Sequence, residues 1–245
     1  MPADLRLAIA LLILLGIAVA VLTAARVGVR RQVVVAAVRA AVQLVVIGLV
    51  LGAVFRFPAA TAAVLAVMLA TASRTAARRL GALERAGRAV LLSCLAGVLP
   101  VLAVVFGTGA LSLSARYVVA LSGITLGGTM TACTIAGRQL IAGIRTRRDE
   151  VEGWLALGAT PRQAVSDIAR TAAGEALLPA IDQTRTVGLV TLPGAYVGAL
   201  FGGASPLAAA RFQLVVLIAL LAAEAMAASS LTWILGAPRQ LPPTA

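Results

Sequence analysis

From Leu5 to Ala25 the chain carries a single charge, Arg6, among side chains that are otherwise apolar or small. As an α-helix such a run covers about 30 Å, the thickness of the hydrocarbon layer of a bilayer. Backbone in hydrocarbon has no water to bond, so the run is stable there only as a helix that pairs its own N–H and C=O groups. The pattern recurs. Val33–Val54, Ala59–Ser73, Ala89–Phe106, Tyr117–Leu140, Thr186–Gly203 and Phe212–Leu235 read as further spans, and none alternates apolar and polar residues as a barrel strand would. The fold expected is all-α, a polytopic membrane protein of about seven transmembrane helices in a single transmembrane domain, 1–245, with a cytoplasmic helical loop. Leu5–Ala25 lacks a small-residue cleavage pattern, so it is expected to remain as a mature helix.

Several kinds of chemistry are excluded by what is missing. All 21 basic residues are arginine, and there is neither lysine nor histidine. A phosphate-cradling Gly-x-x-x-x-Gly-Lys loop needs its lysine, so the chain does not split ATP by that route. Ser-His-Asp catalysis and histidine-based zinc or iron sites are equally impossible. A membrane-embedded enzyme is disfavoured because no span or loop combines a base, a nucleophile and a metal set. Cys94 and Cys133 stand in separate spans with no ligand-like spacing and read as two buried thiols.

The net charge of +12 would suggest nucleic acid in a soluble protein, whose charged fraction is about 25%. Here only 12% of residues are charged, and the arginines flank apolar spans, so the charge serves membrane topology. Arg26, Arg30 and Arg31 place the end of the first span in the cytoplasm and the N-terminus outside. Arg74, Arg78, Arg79, Arg85 and Arg88, opposed only by Glu84, mark the same side. Arg6, Arg56, Arg116 and Arg211 then lie outside, Arg39 falls within the second span, and the others lie inside with the tail Gly236–Ala245. The location expected is the cell membrane, multi-pass, with the C-terminus cytoplasmic.

The one long polar interval, Arg145–Arg185, holds six of the nine acidic residues. Gly158 suits the end of one helix and Pro161 the first turn of the next. The interval reads either as a plain helix–turn–helix loop or as an element offered to a soluble partner. In the fifth span Gly123, Gly127, Thr131 and Thr134 recur at helical spacing, a stripe that serves close helix packing or lines a path, with Thr129 and Cys133 beside it. Pro193 interrupts the sixth span, where Gly194, Gly198 and Gly202 point to a helix pressed against another backbone, and a broken helix often borders a transport path. Arg39, with Gln43 a turn later, either anchors at the interface or faces the protein interior. Glu224 sits mid-span, where a carboxylate is costly and needs a partner; a structural hydrogen bond, a pair with Arg39 or contact with a substrate all satisfy that need.

Glu152, Leu157, Gly158, Ala159, Thr160 and Pro161 carry a resemblance: Glu152 with Gly158 six positions on resembles the Glu-Ala-Ala-x-x-x-Gly loop of ABC transporter permeases. Gly153 and Trp154 replace the two alanines, and Leu178-Pro179 stands farther from Gly158 than in the commonest importers. From Arg39 to Glu224 the chain is similar to the iron-export ABC permeases of FetB type, with plant relatives linked to aluminium tolerance. The motifs are Arg39 with Gln43, Gly127-Gly-Thr-Met-Thr-Ala, Glu152–Ala164, Pro179-Ala-Ile-Asp182, Leu192-Pro-Gly194 and Gly202-Gly-Ala-Ser-Pro206. The resemblance implies a homodimeric permease subunit, exporting iron or another metal, that pairs with a cytosolic ATP-binding subunit. ATP and Mg would lie on that partner, with no cofactor on this chain and 145–185 as its coupling loop. The spans offer only Glu224, Cys94 and Cys133 as strong donors, so the metal ligands are unknown. An ATP-independent channel or ion-coupled carrier using Glu224 and Arg39 is the alternative.

Overall fold

The computed structural model describes residues 2–81, 85–238, 240 and 241, without the side chains of 53 and 54. Glu84, Arg239 and the tail residues 242–245 lie outside the described residues. Nine α-helices are found among the described residues: α1 (Ala3–Ala24), α2 (Arg30–Val54), α3 (Pro58–Arg79), α4 (Ala86–Gly107), α5 (Ala115–Thr146), α6 (Arg148–Ala156), α7 (Pro161–Thr186), α8 (Gly194–Phe201) and α9 (Pro206–Leu235). Six of them, α1 to α5 and α9, are long and apolar enough to cross a membrane.

The chain divides into two compact units, Met1–Phe57 and Pro58–Ala245. The first is a helical hairpin of α1 and α2, turned at Arg26 with φ 54°. No described side chain in it is buried, and Arg39 and Gln43 are exposed on α2. The second unit holds the core.

Five long helices run alternately up and down in this second unit, and close contacts give their register. Tyr117 at the start of α5 stacks on Phe212 near the start of α9, with ring centroids 5.6 Å apart, and further along Cys133 Sγ lies 4.0 Å from the Ala227 carbonyl oxygen. These two helices are therefore parallel. Met68 packs on Gly123 and Leu80 on Gly137, so α3 runs with α5, while α4 returns antiparallel and presses Gly97 against the Ala223 carbonyl of α9. Ile168 packs on Gly143 and Ala169 on Gly236, so the start of α7 lies at the ends of α5 and α9. In a bilayer, apolar side chains gain nothing by leaving lipid for one another; dispersion contact does the work, and small residues allow the backbones to approach. Gly97, Gly123, Gly128, Gly137 and Gly143 are the glycines against which neighbouring helices pack; Gly127 faces open space.

The sixth expected span is corrected. Thr186–Gly203 is not one helix: α7 ends at Thr186, a turn closed by a Val187–Thr191 bridge follows, and α8 has only eight residues. That length covers about 12 Å, well short of a hydrocarbon layer. Gly188 at φ 79° and Pro193, the residue that caps α8, break the helix despite its apolar content. The expected break at Pro193 is present, but Gly194 and Gly198 meet open space and Gly202 meets only the backbone of α8. The upward rod between α5 and α9 is instead α7, whose 26 residues rise about 39 Å. Its polar surface hid it, but Ala164, Val165, Ile168, Ala172, Ala176 and Ala180 recur at helical spacing and are buried. Arg185 accordingly joins Arg116 and Arg211 at one end of this unit, and the other end keeps the arginine excess.

Candidate functional site

The polar interval becomes a knuckle at the arginine-rich end. On α6, Val151 is 1% exposed and anchors in the core with Leu155, while Trp154 is 51% exposed. The helix stops because Gly158 adopts φ 89°, a conformation costly for residues with a Cβ. Gly158 N–H donates to the Leu155 carbonyl at 3.0 Å and Ala159 N–H to the Trp154 carbonyl at 3.0 Å, which satisfies the last carbonyls of α6. The next helix starts two residues on. Thr160 and Gln163 form a reciprocal capping box, in which Thr160 N–H donates to Gln163 Oε1 at 2.8 Å, and Pro161 fills the first position, where no N–H is needed. Leu157, at the apex, is 82% exposed.

Arg147 latches the two helices. Its Nε and Nη2 donate to Glu150 at 2.7 and 2.6 Å, and Nη1 reaches Asp167 on α7 at 3.1 Å. The guanidinium beside Glu150 holds that carboxyl below its usual range, and Glu150 with Asp167 raises the arginine. Glu152 does not reach the turn; it accepts from Arg148 Nε at 2.8 Å along α6. A cleft of about 640 Å³ between Trp154, Leu157, Gly158 and Gln163 completes the surface. A fixed turn with exposed apolar side chains and a cleft beside it is suited to holding another protein surface.

The second cluster is the centre of the bundle. Glu224 is 8% exposed, and one carboxylate oxygen lies against Gly128, where a Cβ would collide with it and with Leu220. One residue on, Thr129 is fully buried and donates to the Leu126 carbonyl at 3.1 Å, within its own helix. Thr131 does likewise to Gly127 at 3.1 Å and is exposed, so these hydroxyls serve their own backbone. The thiols of Cys94 on α4 and Cys133 on α5 are in mutual contact, and Thr129 and Ser73 adjoin Cys94. Sequence spacing set these cysteines apart; the crossing of α4 and α5 joins them. Ser73, Ser93 and Ser122 hydroxyls and Gln213 Oε1 are buried without a partner among the described residues, and no group of three or more acidic or thiol ligands forms among them.

The structure thus brings Thr129 and Cys133 together with Cys94, and it sets Glu224 against Gly128, which sequence reasoning did not single out. Gly97 had no signal beyond being a glycine in an apolar run. Arg39 and Gln43 belong to the hairpin unit. Gly123 packs on Met68. Pro193, Gly194, Gly198 and Gly202 lie around α8, which joins the far end of α7 to the start of α9.

Helices of this length and apolarity, with a carboxylate enclosed where they pack, make the molecule a polytopic membrane protein. Within that class, residues 4–238 match the uncharacterised protein family UPF0014, and the chain belongs to that family. It is 35% identical over 157 residues to the UPF0014 membrane protein STAR2 of Oryza sativa subsp. japonica, covering 64% of this chain and 55% of the relative. It is 39% identical over 119 residues to Protein ALUMINUM SENSITIVE 3 of Arabidopsis thaliana, covering 49% and 44%. A third relative is the probable iron export permease protein FetB of Escherichia coli, 32% identical over 125 residues, with 51% and 48% covered. The match spans about half the length of these curated relatives. No solved structure matches the chain.

Proposed function

We propose that this chain is the membrane-spanning permease subunit of an ABC transporter, working as a homodimer and driven by a separate cytosolic ATP-binding subunit that holds ATP and Mg. The observation that carries the reading is the knuckle: a helix anchored by Val151, latched by Arg147 and ended by Gly158, presenting Trp154 and Leu157 outward. It lies at the end of the bundle richest in arginine, the side that the positive-inside rule assigns to the cytoplasm. With α1, α2 and α7 counted as crossings, the N-terminus is outside and the C-terminus cytoplasmic. Docked in a groove of the ATPase, the knuckle would transmit movement to α5 and α7, the two rods it joins, and the gap between them would open to each side in turn. The name of the Escherichia coli relative points to iron or another metal as cargo. Glu224, the Cys94–Cys133 pair and Thr129 supply sulfur and oxygen donors for such a cargo only in part.

The test is partner-stimulated ATP hydrolysis by the co-purified pair. Gly158→Asp should abolish the stimulation while the protein still inserts and folds; intact stimulation would rule out the docking role. The buried Glu224 favours a second reading, a carrier that needs no ATPase. Metal uptake into liposomes holding this chain alone, without ATP, would establish that reading and remove the first.

A further inference from the structure

We propose that the groove between α7 and α9 at the arginine-rich end binds the phosphate headgroup of an anionic phospholipid. The groove encloses about 340 Å³ and is lined by Arg162, Ser166 and Arg170 of α7 and by Ser229, Thr232 and Trp233 of α9. The three α7 residues are spaced by four, so they share one helix face. Ser166 also borders the cleft of the knuckle, whereas Arg162 and Arg170 line this groove and not that cleft.

Arg162 is already ordered for the task. Its guanidinium lies 4.3 Å from the centre of the Trp233 ring, and Nη1 donates to the Trp233 carbonyl at 2.8 Å. The remaining N–H groups make no ion pair among the described residues. Arg170 makes no hydrogen bond or ion pair among the described residues, although acidic residues are plentiful on α6 and α7. Its neighbour Ala169 packs on Gly236, which puts Arg170 level with the end of α9.

The other half of a phospholipid has its place as well. Leu214, Ile218, Ala222, Ser229 and Trp233 are exposed and follow one stripe of α9 at helical spacing. From Leu214 to Trp233 the helix rises about 28 Å, close to the hydrocarbon thickness. Trp233, 66% exposed, stands where aromatic side chains gather at a membrane interface, and the two arginines begin where the apolar stripe ends. An acyl chain along the stripe thus brings a phosphate to two guanidinium groups, a basic pocket between helices of the kind that takes anionic headgroups. A second protein would not need the stripe; a lipid does.

The full chain, without any partner, should be reconstituted into nanodiscs of phosphatidylcholine alone and of phosphatidylcholine with phosphatidylglycerol. Bound lipid is then counted by mass spectrometry after release into detergent. Phosphatidylglycerol is expected to be retained selectively by the native protein, and about fivefold less strongly by Arg170→Gln, with a further loss in the Arg162→Gln, Arg170→Gln double variant. Arg116→Gln, at the opposite end, should bind as the native protein does. Equal retention of the two lipids, or undiminished retention by Arg170→Gln, overturns the proposal, as does displacement of the lipid by millimolar inorganic phosphate. Arg170→Gln removes no hydrogen bond or ion pair among the described residues, so the test stands even where Arg162→Gln disturbs Trp233.

Discussion

Gly128, in the middle of the bundle, and Gly158, in the knuckle, are required for opposite reasons. At Gly128 the backbone is an ordinary helix, and what forbids a side chain is its neighbours, the Glu224 carboxylate and Leu220. At Gly158 nothing lies within 4 Å of where a Cβ would be, and what forbids it is the backbone itself at φ 89°. The first is a constraint of packing between helices, the second of local geometry within one turn. The bundle centre is thus specified by distant residues meeting, the knuckle by a few neighbours along the chain. That difference separates a part that must hold its shape from one that must present a surface.

Substitution at the two glycines tests the contrast most directly. Gly128→Val should have the largest effect: overpacking against Glu224 costs about 1–3 kcal/mol, and the thermal midpoint in detergent should fall or folded protein should not be recovered. A native midpoint would mean that α5 and α9 stand farther apart in the bilayer. Gly158→Ala should cost about 1–2 kcal/mol, confined to the turn; amide exchange at residues 157–160 should quicken while the bundle midpoint moves little. Loss of the whole bundle from that single methyl group would erase the distinction.

Smaller effects sharpen it. Glu224 has no hydrogen bond or ion pair among the described residues, so Glu224→Gln keeps the shape and removes only the ionisable carboxyl. Its midpoint should stay within about 1 kcal/mol of native or rise; a clear fall would show that the carboxylate is paired in the folded protein. The acid response of the latch should be the smallest. Because Arg147 depresses the Glu150 carboxyl in the fold, the latch contributes fully above the ordinary glutamate value of about 4.3 and is lost as pH falls through the lower folded value. Faster amide exchange in α6 below pH 4, with the bundle unchanged and Arg147→Gln showing it already at pH 7, is the expected result.

Much of the knuckle was legible because its signals are local. Gly158 as a stop and Pro161 at the first position act over a few residues, and the Thr160–Gln163 box, which the sequence reading missed, is equally local. Glu152 was legible as a motif residue, but its bond to Arg148 shows it stabilising α6 rather than shaping the turn. The bundle centre was legible only in part. Glu224 drew notice because a mid-span carboxylate is costly, whereas Cys94 and Gly97 look like any small residue in an apolar run. Their meaning lies in what crosses them, Cys133 and Thr129 in one case and Ala223 in the other. The sixth rod was misplaced for a related reason: apolar content pointed to Thr186–Gly203, but burial of one alanine-lined face against α5 and α9 made α7 the rod.

By itself the sequence determined that this is an all-helical membrane protein, that its arginines gather toward one side, and where the polar turn falls. Those properties follow from the energetics of single segments, hydrocarbon against backbone and cap against helix end, which a linear chain displays in full. Only the tertiary structure decided which glycines let backbones meet, that two distant thiols come into contact, and that a polar helix completes the bundle. Contacts between segments depend on the rotation and register of whole helices, and no single segment carries that information.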